Sequence, residues 1–366
     1  MSKLLVIAAG GTGGHMFPAE ALASEMLGRG WRVMLTTDER GMRYAKGFSD
    51  RIEKVELKSA TFARGGVLSK LSVPWHLTLG GAGARSLFRK DRPAVVAGFG
   101  GYPSLPALSA AFWMRIPRII HEQNGVLGRV NRLFANRVDH VVCGTWPVSN
   151  APDGANLIHL GNPVRAPITA LAGQGYEAPG PTGPLNVLTI GGSQGARALS
   201  RYVPRALVTL PDAMRKRLDV THQARAEDLE EAKAVYARGK IKAEVRPFFE
   251  DIPERLSRAH LVISRAGASS VAEIAAMARP SILIPYPHAM DDHQRANARA
   301  LELVGGAVVL PEKGLTRDVL TDHIQAILGN SAQAAAMSEN TREVATPDAT
   351  VDLADLVETL GKPAKG

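Results

Sequence analysis

Cysteine occurs once in this chain of 366 residues, at Cys143, so no intrachain disulfide can form and a reducing cytosol is the expected setting. The surrounding HVVCGTW is apolar, which reads as a packed core thiol rather than a nucleophile. Long hydrophobic runs are missing as well. No window approaches the roughly 18–20 apolar residues of a membrane span. Lys3 precedes only the apolar run Leu4–Ala9, shorter than the ~7–15 residues of a signal-peptide core. The chain is expected in the cytosol or on a membrane face, not within the bilayer. No Asp-x-Asp occurs, so a metal–nucleotide site of that type is not expected, and Asp291 and Asp292 are a weak pointer to a metal.

Hydrophobic residues make up 45% and charged residues 22%, as in an ordinary soluble globular protein with material for two cores. The net charge is +9, and its distribution is uneven. Residues 1–165 hold 21 Lys and Arg against 11 Asp and Glu, whereas residues 166–366 hold 23 against 24. The excess therefore sits in the first half. It points to an anionic partner (nucleic acid, acidic lipid or a polyphosphate) or to plain solubility.

Both halves alternate apolar strand-like runs with helical spacing. In the first half the strands are expected at Leu4–Ala9, Arg32–Thr37, Arg51–Leu57, Ala94–Gly98, Arg118–Glu122 and His140–Gly144. In the second they are expected at Leu185–Ile190, Leu218–His222, Ala243–Phe248, Leu261–Ser264, Ser281–Pro285 and Ala307–Leu310. The first helix is expected at Pro18–Arg29. Alternating βα units imply an α/β fold of two parallel-sheet domains, with ligands beyond the carboxyl ends of the strands. The Pro- and Gly-bearing GNPVRAP at Gly161–Pro167 marks the boundary. The expected division is 1–163, 164–345, and a helix and tail at 346–366.

Two glycine turns carry the chemistry, GGTGGH at Gly10–His15 and GGSQGA at Gly191–Ala196, each between a strand and a helix. Such turns present backbone N–H groups to phosphate at a helix N-terminus. The first departs from the dinucleotide fingerprint at Met16, though Asp38 stands where a ribose-binding acid would. His15 reads either as a proton acceptor at the mouth of the turn or as a capping or core histidine. GFGGYPS at Gly98–Ser104 adds further donors or is simply a tight turn. The HEQN run at His121–Asn124 ends a strand with polar groups expected either to face the cleft, where Asn124 could bond a sugar hydroxyl or amide, or to be satisfied within their own loop. In the second half, SRAGASSVAE offers amides at Ala268, Ser269 and Ser270 to a diphosphate, and Glu273 to a ribose or merely to the helix start. Gln294 and Asn297 share a helix face. Finally, Val73, Trp75, Leu77, Leu79, Phe88, Trp113 and Met114 lie near Lys70, Arg85, Arg89, Lys90, Arg92, Arg115 and Arg118. That mixture reads as an interfacial membrane contact or as an amphipathic helix over a sheet.

In their order, GGTGGH, GFGGYPS, HEQN, GNPVR, GGSQGA and SRAG-x-x-x-x-x-E make the chain resemble the MurG family over roughly residues 4–345. These are the bacterial N-acetylglucosaminyltransferases of peptidoglycan synthesis, members of glycosyltransferase family 28 with the GT-B fold of two Rossmann-like domains facing across a cleft. The resemblance implies UDP-GlcNAc as donor, lipid I as acceptor, inversion at the anomeric carbon and no cofactor. It implies donor contacts at Ser193 and at Ala268, Ser269, Ser270, Val271, Ala272 and Glu273, with uracil met by the main chain at Phe249. Gln294, Asn124, Arg165, Thr12, Gly13 and Gly14 are implied at the sugar or phosphates. The acceptor diphosphate is implied at Gly13, Gly14, Gly100, Gly101 and Tyr102, with His15 as base. Phe249, where an aliphatic residue is usual, and His293, where glutamine is, depart from the family. The implied location is the cytoplasmic face of the bacterial inner membrane, held peripherally on anionic lipid, with other cell-wall synthesis proteins as further partners. Nucleic-acid binding has no signature behind it. A different GT-B transferase or a sugar-nucleotide epimerase are the competing readings.

Overall fold

The computed structural model describes residues 2–10, 13–57, 73–192 and 196–362, without the side chains of 73–80. The first compact unit comprises residues 1–165 and 348–366. It runs β1 (Leu4–Ala8), α1 (Gly13–Gly28), β2 (Arg32–Thr37), α2 (Glu39–Tyr44), β3 (Glu53–Glu56), α3 (Val73–Lys90), β4 (Val95–Gly98), α4 (Ser104–Trp113), β5 (Arg118–Glu122), α5 (Arg129–Phe134), β6 (His140–Cys143) and β7 (Leu157–His159). Its strands form one parallel sheet in the order β3-β2-β1-β4-β5-β6-β7.

The second unit spans residues 166–347. It opens with α6 (Ala166–Ala172), β8 (Leu185–Ile190), α7 (Arg197–Leu207), α8 (Asp212–Arg215), β9 (Leu218–Gln223), α9 (Leu229–Arg238) and β10 (Lys242–Arg246). It continues with α10 (Ile252–Arg258), β11 (Leu261–Ser264), α11 (Ala268–Ala276), β12 (Ser281–Leu283), α12 (His293–Leu303), β13 (Ala307–Val309), α13 (Arg317–Leu328) and α14 (Ser331–Glu343). Its parallel sheet has the order β10-β9-β8-β11-β12-β13. The last helix, α15 (Ala349–Leu360), belongs to the first unit. Leu353, Ala354 and Val357 enter that unit's core, and Arg29 on α1 pairs with Asp355 and Glu358.

Strand periodicity explains the layers. Leu5 and Ile7 of β1 face one core of the first unit, and Leu4, Val6 and Ala8 face the other. A strand covered on both faces must be apolar throughout, as β1 is. Cys143 lies in the second of these cores, and burial, helped by the Glu122 charge, pushes its thiol up to about 12. It is a packed thiol, as expected. Pairing departs from the expected spans by a residue or two at most strands, and β7, short and only half-buried, was not expected. The larger departure is α1, which starts at Gly13 rather than Pro18. The residues Gly13–His15 of the glycine turn are thus themselves the first turn of the helix, with Met16 and Pro18 buried against the core.

Each sheet reverses its strand order once, between β1 and β4 and between β8 and β11. Loops at such a reversal splay apart and leave a ligand crevice at the carboxyl edge. The turns of GGTGGH and GFGGYPS leave β1 and β4. Those of GGSQGA and SRAG leave β8 and β11.

Two fully buried histidines set the acid limit of stability. His121 Nε2–H donates to Gly161 O at 3.1 Å, and His222 Nδ1 accepts from the Tyr236 hydroxyl at 2.8 Å. Burial lowers His121 to about 4 and His222 to about 3. A depressed folded value means that the unfolded chain binds the proton first, so stability is full above the unfolded value near 6.5 and falls as pH drops below it. At pH 5 each unit should lose about 2 kcal/mol relative to pH 7.5. Urea unfolding at the two pH values checks this; equal midpoints would reject it.

Candidate active site

In the first unit the turn after β1 meets the turn after β4. A Cβ on Gly10 would come within 2.6 Å of Pro103 Cγ, so only glycine allows this approach. Gly100 and Gly101 take φ of +87° and +73°, which side chains disfavour. Ser104 ties the turns together, with Oγ 2.9 Å from Ala8 O and 2.7 Å from Gly100 O.

His15 sits in the first turn of α1, and its Nδ1–H donates to Gly10 O at 3.1 Å. A carbonyl only accepts, so in the neutral ring Nδ1 carries the proton and Nε2 is the basic nitrogen. A Cβ on Gly100 would stand 3.4 Å from that Nε2. The structure therefore brings His15, Gly100 and Gly101 together, with Gly13 and exposed Gly14 in the same turn of α1 and half-buried Tyr102 next in chain. Thr12 lies outside the described residues. Arg165 ends the first unit half-buried, its guanidinium over the Phe17 ring.

The HEQN run follows the second of its two readings. His121, Glu122 and Gln123 are buried, not turned outward. Glu122 accepts from Asn124 N, Asn124 Nδ2, Gly128 N and Asn131 Nδ2 at 2.8–3.1 Å. Gln123 Nε2 donates to Phe99 O at 3.1 Å, and His121 stacks on the Phe99 ring. A buried carboxylate must find donors, so this run binds its own loop together. Asn124 is the half-buried member and is oriented by Glu122. Asp38 is also engaged in structure: its carboxylate caps α2 through Gly41 N at 2.8 Å.

In the second unit, Gly267 precedes α11 in an extended conformation and makes no side-chain cap bond. The first-turn amides of Ala268, Ser269 and Ser270 therefore receive no cap from that residue, and no acid stands in the first turn. Val271, Ala272 and buried Glu273 follow on the same helix. The turn is clamped from several sides. Gln294 Oε1 accepts from Ala266 N at 3.2 Å and Tyr286 N at 2.9 Å, and Asn297 Nδ2 donates to Ala266 O at 3.0 Å. Two N–H donors require an oxygen, so these bonds fix which end of the Gln294 amide is the carbonyl and leave its NH2 on the other side. The two side chains share a face, as their spacing implied.

Arg265, which sequence reasoning passed over, donates to Ile284 O and Pro285 O and pairs with Glu312 at 2.6 Å. Its signal was a lone cation in a buried strand-to-turn segment. The Phe249 ring is buried against Arg255, whose Cζ is 4.4 Å from its centroid, so only its main chain can face a base. After β8, Gly192 has φ +79°, and Gly191 N donates to Gln223 Oε1 at 3.3 Å. Ser193 lies outside the described residues. Asp291 and Asp292 are exposed with φ of 52° each, and among the described residues no three His, Cys, Asp or Glu side chains group as metal ligands.

The suspected membrane contact is partly core. Phe88 is 1% exposed, whereas Trp113 is 59% and Phe112 36% exposed, with Arg118 stacked on Phe112. Arg85, Arg89, Lys90, Arg92 and Arg115 are exposed on the same unit. Lys70 lies outside the described residues, as do the side chains of Val73, Trp75, Leu77 and Leu79. Among the described residues no helix is long and apolar enough to cross a membrane.

Residues 5–143 match the glycosyltransferase family 28 N-terminal domain and residues 186–353 its C-terminal domain. A protein of Rhodospirillum centenum is 48% identical over 359 residues, covering 96% of this chain and 93% of its own. One of Caulobacter vibrioides (strain NA1000) is 49% identical over 364 residues, covering 99% and 100%. Both are named UDP-N-acetylglucosamine–N-acetylmuramyl-(pentapeptide) pyrophosphoryl-undecaprenol N-acetylglucosamine transferase. Among solved structures, Acinetobacter baumannii MurG superposes with a TM-score of 0.80 at 30% identity, covering 98% of this chain and 99% of that one. Two parallel-sheet α/β domains with glycine-bearing turns at the strand-order reversals, and relatives of this closeness along nearly the whole length, make the chain a GT-B enzyme that belongs to glycosyltransferase family 28.

Proposed function

We propose that the chain transfers GlcNAc from UDP-GlcNAc to the C4 hydroxyl of MurNAc in undecaprenyl-diphosphoryl-MurNAc-pentapeptide, giving lipid II. The observation that carries this is near-full-length identity of 48–49% to relatives named for that reaction. The local chemistry agrees. The start of α11, with no side-chain cap from Gly267, supports this reading: its amides would stabilise the negative charge that develops on the departing UDP. Glu273 accepts from the ribose hydroxyls, the Phe249 main chain meets uracil, and the Gln294 NH2 donates to the sugar. Ser193 joins the nucleotide contacts.

Inversion follows from a single displacement. His15 Nε2 takes the proton from the C4 hydroxyl. The freed oxygen lone pair bonds to the anomeric carbon, and the bonding pair of the anomeric C–O leaves with UDP. Thr12, Gly13, Gly14, Asn124 and Arg165 bind substrate, and the amides of Gly13, Gly14, Gly100, Gly101 and Tyr102 hold the carrier diphosphate. Mass spectrometry of a lipid I analogue incubated with UDP-GlcNAc tests the assignment: a GlcNAc-extended product is expected. A changed UDP-sugar with unchanged acceptor would make the enzyme an epimerase instead.

The exposed cations and Trp113 on the first unit support a peripheral seat on the cytoplasmic face of the inner membrane, where an undecaprenyl substrate resides. Binding to phosphatidylglycerol vesicles should weaken several-fold between 50 and 300 mM salt, as the ~14 to ~6 Å fall in screening length implies. Co-sedimentation across a salt series measures it. Binding insensitive to salt, or absent at low salt, would remove this surface from the account.

A further inference from the structure

Phe17 belongs to none of the motifs assigned to substrate. It lies four residues after Gly13 on α1, and its ring covers the first turn of that helix. A Cβ built on Gly13 would stand 3.1 Å from Phe17 Cε2 and 3.2 Å from Cζ, closer than a methyl ordinarily approaches. The Arg165 guanidinium sits over the same ring, its Cζ 5.2 Å from the centroid, within the range of cation–π attraction. Glu20, one turn further along α1, senses that cation. Burial raises its carboxyl above the usual range, and Arg165 draws it back down. One ring thus joins the helix start bearing the glycine turn to a cation from the far end of the unit's first segment. An anion at the start of α1 would meet backbone amides on one side and, through the ring, a planar guanidinium on the other.

We propose that Phe17 is a positioning residue: its ring holds the Arg165 guanidinium beside the first turn of α1, so that the glycine turn and Arg165 act on one substrate phosphate. This rests on the reading of Gly13, Gly14 and Arg165 as substrate-binding residues. A flat π face suits a planar cation where an aliphatic side chain gives contact without the quadrupole. Glycine at position 13 lets the ring lie flat on the helix.

A double-mutant cycle on the full-length enzyme tests it, with kcat and KM for GlcNAc transfer to a lipid I analogue measured beside thermal melting. Arg165→Ala should lower kcat/KM about 100-fold, as loss of a charge-assisted phosphate contact does. Phe17→Leu should lower it about tenfold and Phe17→Tyr about twofold or less. Phe17→Leu should add nothing in the Arg165→Ala background. The Arg165 Nε–H resonance, assigned by its loss in Arg165→Ala, should move downfield in Phe17→Leu as the ring current disappears, and stay in Phe17→Tyr.

If Phe17→Leu keeps its full effect without Arg165, or leaves that resonance in place, the positioning role is overturned. If Arg165→Ala is silent in kinetics, the substrate reading of Arg165 fails instead, and the resonance still reports whether the ring holds the guanidinium. Should Phe17→Leu melt early, Gly13→Ala crowds the ring without removing it and should move the same resonance.

Discussion

Replacing His15 by alanine should lower kcat by about 10²–10⁴, the usual worth of a positioned general base. KM for UDP-GlcNAc should hardly change. The expectation follows from how the ring is held. Its Nδ1–H is fixed on Gly10 O, which orients the imidazole and fixes the tautomer, so the lone pair lies on Nε2 beside Gly100. The turn of Gly100 and Gly101, proposed above to hold the carrier diphosphate, lies beside that nitrogen. His15→Asn separates chemistry from structure, since its amide can still donate toward Gly10 O but cannot act as a base. Both variants should melt like the parent and turn over at the same low rate. An unchanged turnover number in His15→Ala would show that the proton leaves by another route, and full activity in His15→Asn would make the residue structural.

Replacing Glu273 by alanine should raise KM for UDP-GlcNAc about 10²-fold with kcat little affected, taking two hydroxyl bonds to a charged acceptor at ~1.5 kcal/mol each. Glu273 is buried on α11, beyond the amides that would face the diphosphate. A donor lacking one ribose hydroxyl supplies the sharper reading. The parent enzyme should discriminate against it, and the variant should not, because the group that notices the hydroxyl is gone. If KM moves less than threefold, or if the variant still discriminates, Glu273 is a helix-start acid and the ribose is read elsewhere. The melting temperature distinguishes that outcome from plain loss of the fold.

Much of this molecule was readable from its residues because the relevant physics is local. Short, mostly apolar runs such as Leu4–Ala8 and Leu185–Ile190, bounded by glycine turns, read as strands covered on both faces, and the glycines at their ends allow a close backbone approach. Alternation then dictates parallel sheets, and the amide-lined start of α11 follows from Gly267 and the absence of an acid in its first turn. What tertiary structure decided depends on contacts that hydrophobic periodicity does not encode. Periodicity says nothing of whether Glu122 faces solvent or gathers Asn124, Gly128 and Asn131 around a buried carboxylate. Local spacing does not show that Gly100 comes to rest beside His15, or that Arg165 lies on Phe17. Nor does it show that α15 crosses the whole length of the second unit's sequence to complete the first core, a contact determined by which buried surface remained to be covered. Sequence alone therefore determined the kind of chemistry, because backbone amides and apolar periodicity are properties of short segments. Only the fold decided which side chains reach it, because every buried polar group must find its partner wherever packing brings one within bonding distance.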